Sequence, residues 1–360
     1  MRPRSPEPTG AALRADLATC AALLRQGSKT FHAASRLLPS GVRDPAVALY
    51  SFCRLADDAV DNGGGTAALE SLRQRLADAY AGRPSPEPAD RAFAWAVAAF
   101  EIPAALPEAL LEGFAWDAEG RRYETLADLE AYAARVAGSV GAMMSVLMDA
   151  RQPEVLARAC DLGIAMQLTN IARDVGEDAR LGRVYLPLAW MREAGLDPDA
   201  WLARPVFSTD LATVIARVLE AAERLYARSS AGIAELPASC RPGMHAARLL
   251  YAEIGREVQR RGLDAVSQRA VVPSARKAAL LPAVMRAAAT TPVATDHAAA
   301  LEAARFLVEA AARPPAAPVP VAGYRARRFE ERVVWLLGLF ERLERREQQL
   351  RTGMTPSTQS

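Results

Sequence analysis

The sequence predicts an all-α protein, and three observations carry that reading. Alanine, leucine and arginine abound while β-branched residues are scarce, a composition that favours helix over strand. Apolar residues recur every three to four positions in one stretch after another. Regular glycine turns of the kind that join short strands are lacking, and the clearest breaks are proline clusters.

The periodicity marks helices over 11–36, 43–62, 66–81, 89–99 and 105–117, then 126–150, 154–178, 208–235 and 241–262. Ahead of the first, residues 1–10 are polar and proline-rich, lack the apolar run of a signal peptide and are expected to be disordered. The second helix sets Leu49, Phe52, Leu55 and Val60 on its apolar side. Arg83-Pro-Ser-Pro-Glu-Pro88 is a loop inside the domain. The stretch Val136-Ala-Gly-Ser-Val-Gly-Ala-Met-Met-Ser-Val-Leu-Met148 has Ala137, Gly138 and Gly141 on one side and methionines on the other. Small residues admit a neighbouring helix or a ligand, and methionine fills irregular apolar space, so close packing and the wall of a hydrocarbon tunnel are both open here. The next helix buries Ile164, Leu168, Ile171 and Val175. A second proline-rich break, Arg313 to Pro320, precedes a last segment, Tyr324 to Arg351. Within it, arginines alternate with Val333, Val334, Trp335, Leu336, Leu339 and Phe340, an amphipathic pattern that suits a helix docked on the domain and, as a minority reading, a membrane surface. The chain so divides into a disordered N-terminus (1–10), one helical domain (11–282) and a C-terminal helical extension (283–360) with a disordered end.

A chain of 360 residues is ample for one large core. Its net charge of +2, with mixed signs, makes no electrostatic case for nucleic acid. Cys20, Cys53, Cys160 and Cys240 lack metal-binding spacing and read as reduced packing residues of a cytoplasmic protein. His32, His245 and His297 share no ligand spacing either. No apolar run reaches the length of a transmembrane span, so a lipophilic substrate has to be met from outside the bilayer.

Two acidic segments break the apolar pattern: Arg54-Leu-Ala-Asp57-Asp58-Ala-Val-Asp61 and Arg173-Asp174-Val-Gly-Glu177-Asp178. Tyr50, Arg54, Asp57 and Asp61 share one helix face, and Gln167, Asn170, Asp174 and Asp178 share another. Either stripe alone suits a solvated face with arginine partners. Two such stripes on apolar helices suit a polar cavity between them. Carboxylates about 6 Å apart repel by roughly 3 kcal/mol at an effective dielectric near 20. They must protonate, face water or hold cations, and oxygen donors of this kind take Mg²⁺, which completes its shell from water and phosphates. Arg54, Arg173 and Arg183 add positive charge for an anionic, phosphorylated ligand.

These residues resemble the squalene/phytoene synthase family, in particular its bacterial members. The resemblance runs from Ser28-Lys-Thr-Phe31 to Lys277 and is most specific in Leu49 to Asp61, in Tyr132 with Val136-Ala-Gly-Ser-Val-Gly141, and in Gln167 to Asp178 continuing to Gly182-Arg-Val-Tyr-Leu-Pro187. It implies an isoprenoid synthase fold, a single all-α domain around a central cavity, with three Mg²⁺ ions (Mn²⁺ as a substitute), two prenyl diphosphates and no nucleotide cofactor. The metal ligands it implies are Asp57, Asp58 and Asp61 on one side and Asn170, Asp174, Glu177 and Asp178 on the other. Ser28, Lys29, Tyr50, Arg54, Arg173 and Arg269 correspond to diphosphate contacts. Phe31, Val136, Ala137, Val140, Gly141 and Met144 correspond to the prenyl-chain cavity. Tyr132, Gln167 and Tyr251 join the aspartates as catalytic positions.

The activity implied is head-to-head condensation of two geranylgeranyl diphosphates through prephytoene diphosphate to phytoene, the first committed step of carotenoid biosynthesis. The alternative is the same chemistry on farnesyl diphosphate, giving squalene, dehydrosqualene or hydroxysqualene. A non-catalytic assembly factor of the same fold would be expected to have lost the aspartates. Peripheral contact with the inner membrane face or with a downstream phytoene desaturase is the implied partnership. Two departures from the family pattern stand out: His32 where an aromatic is common, and Arg261-Gly-Leu-Asp264 ahead of Arg269.

Overall fold

Burial follows the helical period of the sequence. The computed structural model describes residues 10–27, 32, 34–59, 65–289 and 298–312, and among these every regular element is helical. The first half holds α1 (Gly10–Gly27), α2 (Ser40–Ala59), α3 (Gly65–Tyr80), α4 (Pro88–Ala99) and α5 (Ala105–Ala118). Then come α6 (Leu126–Ala133), a π-helical turn (Ala134–Gly138) and α7 (Ser139–Leu147). The long α8 (Pro153–Arg180) leads to two short helices, α9 (Leu188–Glu193) and α10 (Pro198–Ala203). After α11 (Thr209–Glu235) and α12 (Arg241–Arg260) follow α13 (Ser274–Ala279), α14 (Leu281–Ala289) and α15 (Arg305–Ala311).

The 28-residue α8 is the axis of the molecule. Pro153 opens it, where a fixed φ is already helical and the missing N–H has no partner to lose. Helices α7, α11 and α12 and the π turn all pack on it. Ile164, Leu168, Ile171 and Val175 are buried, as their spacing predicts. Two glycines set the close approach on one side. A Cβ at Gly163 would collide with the Ala137 carbonyl of the π turn, and one at Gly141 with the Ala159 carbonyl of α8. Gly141, assigned above to the cavity wall, is therefore a helix-packing residue: the space its side chain would take belongs to backbone.

The expected helices are present with shifted ends. Helix α1 covers Gly10–Gly27 of the stretch read as 11–36, and the stretch read as 126–150 is divided by the π turn. Helices α9, α10, α13, α14 and α15 have no counterpart in the sequence reading, because six to nine residues hold too few turns to display a period. Residues 298–312 also correct the boundary at 282. Ala304, Leu307 and Ala311 are fully buried in the main core, and α15 packs on α8, α7 and α5. The amphipathic segment 325–349 lies outside the described residues.

Candidate active site

The first acidic stripe lies on α2 and opens to solvent. Arg54 pairs with Asp57 at 3.3 Å and with Asp58 at 2.7 Å, and both carboxylates keep about two-fifths of their exposure (43% and 41%). Tyr50, one turn earlier, lays its hydroxyl against the end of α1, where a Cβ on Gly27 would collide with it. Burial pushes the Tyr50 phenol up to about 12, with Arg54 opposing and Tyr251, Asp57 and Asp58 adding to the rise. Asp61, Ser28, Lys29 and Phe31 lie outside the described residues.

The second stripe, on α8, is more enclosed. Arg173 grips Asp174 with two of its guanidinium nitrogens (2.7 and 2.5 Å), and Arg269 does the same from across the site (2.8 and 3.3 Å) while reaching Glu177 at 3.4 Å. Burial alone would raise the Asp174 carboxyl, but the two arginines outweigh it and hold the group below the usual carboxylate range. Asp178 has no such relief. Burial, with Asp174, Asp117 and Glu177 adding their charge against Arg183, pushes it up to about 7. Gln167 accepts from the Asn170 amide at 3.5 Å, which keeps both carboxamides on the stripe.

A built turn delivers Arg269. Gly262 and Leu263 turn the chain with φ of 70° and 64°, and Asp264 Oδ1 then accepts from the Val266 and Ser267 amides (3.1 and 2.9 Å). The Ala265 carbonyl accepts from the Gly176 N–H at 2.9 Å, and a Cβ on Gly176 would collide with the Val266 backbone. So the glycine within Asp174-Val-Gly-Glu-Asp178 is the notch into which the loop docks, and Arg261 to Asp264, which departs from the family pattern, forms that loop.

Tyr251 stands on α12 within electrostatic reach of Tyr50 on one side and of Tyr226 on the other, and the Tyr226 hydroxyl is 3.0 Å from that of Thr169 on α8. Tyr132 is buried beside a group that carries no signal in the sequence, Asp117. One Asp117 oxygen accepts from the Tyr132 hydroxyl at 2.8 Å and the other from Tyr185 at 2.7 Å. Tyr185 and Arg183 share the wall of a small cavity with Asp178. Asp117 is one acid in an apolar turn, and its partners lie 15 and 68 residues away. Of the positions assigned above to the prenyl-chain cavity, Val136 and Val140 are partly buried against the core and Met144 is buried within it.

Among the described residues, no three His, Cys, Asp or Glu side chains converge on one point. Asp57, Asp58 and Asp174 are each paired with arginine. The donors are nonetheless all oxygen, as hard divalent cations require, and Asp178 remains short of positive charge. The residues fit a divalent cation that shares its shell with an anionic ligand, and the same arginines are free to exchange a carboxylate for that anion.

The chain as a whole is similar to known proteins. The profile of the squalene/phytoene synthase family matches residues 24–277. A phytoene synthase of Cereibacter sphaeroides is 54% identical over 314 residues, covering 83% of this chain and 88% of its own. That of Rhodobacter capsulatus is 57% identical over 267 residues, covering 73% and 79%. A crystal structure of a dehydrosqualene synthase in complex with a ligand aligns with a TM-score of 0.69 at 32% identity, over 77% of this chain and 97% of that one.

Proposed function

Since the chain belongs to the squalene/phytoene synthase family, we propose that it joins two geranylgeranyl diphosphates head to head, through prephytoene diphosphate, to give phytoene. One observation carries this over the farnesyl-using alternatives: identity is 54% and 57% to proteins named phytoene synthase, against 32% to the dehydrosqualene synthase. The two acidic stripes support the chemistry.

Asp57, Asp58 and Asp61 on one side, and Asn170, Asp174, Glu177 and Asp178 on the other, are the groups that would hold Mg²⁺, with Mn²⁺ as a substitute. When bound, such an ion neutralises the charge that grows on a departing diphosphate. Arg54, Arg173 and Arg269, with Ser28, Lys29 and Tyr50, bind the diphosphates and orient the allylic carbon. Val136, Ala137, Val140 and Met144, with Phe31, exclude water from the allylic cation, and the Tyr132 ring presents it with an electron-rich face. The double bond of the second substrate attacks and closes a cyclopropyl diphosphate. A second ionisation, ring rearrangement and proton loss complete the product. Because the sequence ends in proton loss rather than hydride transfer, no nucleotide cofactor is needed. None of the described helices is long and apolar enough to cross a membrane, so the C40 hydrocarbon leaves toward a lipid surface or a desaturase met peripherally.

Incubation of the purified protein with Mg²⁺ and each prenyl diphosphate, with and without NADPH, tests the reading. A C40 hydrocarbon from the C20 substrate is expected. C30 products alone would move the assignment to the farnesyl-using branch.

A further inference from the structure

Asp117 is poorly placed for stability. It occupies the last turn of α5, where a carboxylate faces the negative end of the helix dipole. Its surroundings are three tyrosine rings. Tyr132 and Tyr185 lie 5.3 Å apart and nearly parallel, and Tyr123 completes the stack at 5.1 Å and 6.1 Å from them. The Tyr123 hydroxyl is buried with no hydrogen-bond partner, a cost that phenylalanine would remove if packing were the purpose. One Asp117 oxygen accepts from the Tyr132 hydroxyl and the other from that of Tyr185, and Tyr185 borders the cavity that holds Asp178.

From this geometry we infer that Asp117 is a positioning residue for the cation chemistry, holding the Tyr132 and Tyr185 hydroxyls toward itself and so presenting electron-enriched rings to the reacting chain. A phenol that donates to a carboxylate shares part of its negative charge, and charge-assisted bonds of this kind are stronger and more directional than neutral ones. The enriched ring face is in turn a better partner for a carbocation. With one carboxylate holding two rings, Asp117 acts on both ionisations through groups it touches rather than by meeting substrate itself. The inference rests on the function proposed above and deepens it.

The test is Asp117→Asn in the full chain, with turnover, KM for geranylgeranyl diphosphate and the ratio of prephytoene diphosphate to phytoene measured together. The neutral amide keeps the shape and loses the charge. Turnover is expected to fall by about tenfold or more with KM changed less than about threefold, since the lost interaction is made mainly in the transition state. The released cyclopropyl intermediate should rise relative to phytoene, and Asp117→Glu should recover part of both. A purely structural role would lower both products in step and leave their ratio alone, which would overturn the inference. So would a wild-type rate and ratio in Asp117→Asn. Should that variant fail to fold, Tyr132→Phe and Tyr185→Phe each keep a ring and remove one donor, and the same shift in ratio is expected. Wild-type protein assayed alongside keeps the two claims apart. No C40 product from it overturns the proposed function and this role together, whereas phytoene from wild type beside an unaltered variant overturns this role alone.

Discussion

Helix α8 carries two aspartates, each held by two arginines, and they do opposite things. Asp161, near its start, pairs with Arg158 at 2.7 Å and Arg228 at 3.0 Å and is fully buried. Asp174, near its end, pairs with Arg173 and Arg269 and keeps 16% of its exposure. Burial outweighs both arginines at Asp161 and leaves its carboxyl above the usual range, whereas the arginines outweigh burial at Asp174. The partners differ as well. Arg158 and Arg228 also donate to the Ala299 carbonyl, so the first cluster straps residues 298–312 to the body. Arg269 sits on a loop, 44% exposed, and Asp178 and Glu177 crowd its acid with further negative charge. An arginine-paired buried acid is thus no mark of function by itself. The pair proposed to act on substrate differs in that solvent reaches it, its partner sits on a loop and the neighbouring Asp178 carboxyl is raised by its surroundings.

The largest expected effect breaks the pair at the active end. Asp174→Asn should lower turnover by about a thousandfold or more, on the scale of lost electrostatic stabilisation of a leaving group, while the helical circular-dichroism signal is kept. Asp161→Asn should do the reverse. Removing one partner of a buried ion cluster costs about 3–5 kcal/mol, and the folded fraction should keep its turnover within about threefold. If Asp161→Asn instead abolished activity at full stability, the two ends of α8 would not be distinct in the way described.

How far the sequence revealed this is uneven along the same helix. The apolar face and the Asn170–Asp178 stripe were legible because both obey one period. Arg158-x-x-Asp161 and Arg173-Asp174 look alike as text, and only the arrival of Arg228 and of Arg269, which lies 95 residues beyond Asp174, separates them. Tertiary partners of that kind leave no local trace. Asp117 was silent for the same reason, and Tyr185, though inside a quoted motif, had no assigned role until its hydroxyl was seen on Asp117. Gly141 could not be read further from the sequence, because a small residue looks the same whether a ligand or, as the Ala159 carbonyl does here, a backbone lies beside it.

A smaller effect tests the notch at Gly176. Gly176→Ala places a methyl against the Val266 backbone, and overpacking of this kind costs about 1–3 kcal/mol. The loop should lift, Arg269 should leave Asp174, and KM for the diphosphate substrate should rise more than kcat falls. An unchanged KM would show that the loop docks without the notch.

The last test is a pH slope. The unfolded chain loses the Asp178 proton near 3.8, while the folded chain keeps it to about 7. Between those values the folded state binds more protons, so stability is full below the lower pH and declines as pH rises through the upper one. In protein treated with EDTA, this carboxyl should cost the wild type at most about 4 kcal/mol between pH 4 and pH 8. Asp178→Asn should flatten that part of the profile, as read from urea midpoints across the range. Parallel profiles for the two proteins would place the uncompensated charge elsewhere.

The π turn at Ala134–Gly138 has a consequence for how such a chamber is resized. It is wound more loosely than the α-helix on either side, in effect one extra residue let into a continuous rod. Deleting a single codon there would restore α winding and leave Val140 and Met144 facing much as before, because the wide turn already absorbs the extra residue; the change would fall on the turn's own residues, Val136 and Ala137 among them. A change of length at this point would therefore act locally, on the wall positions the turn itself carries, and leave the helices on either side in register.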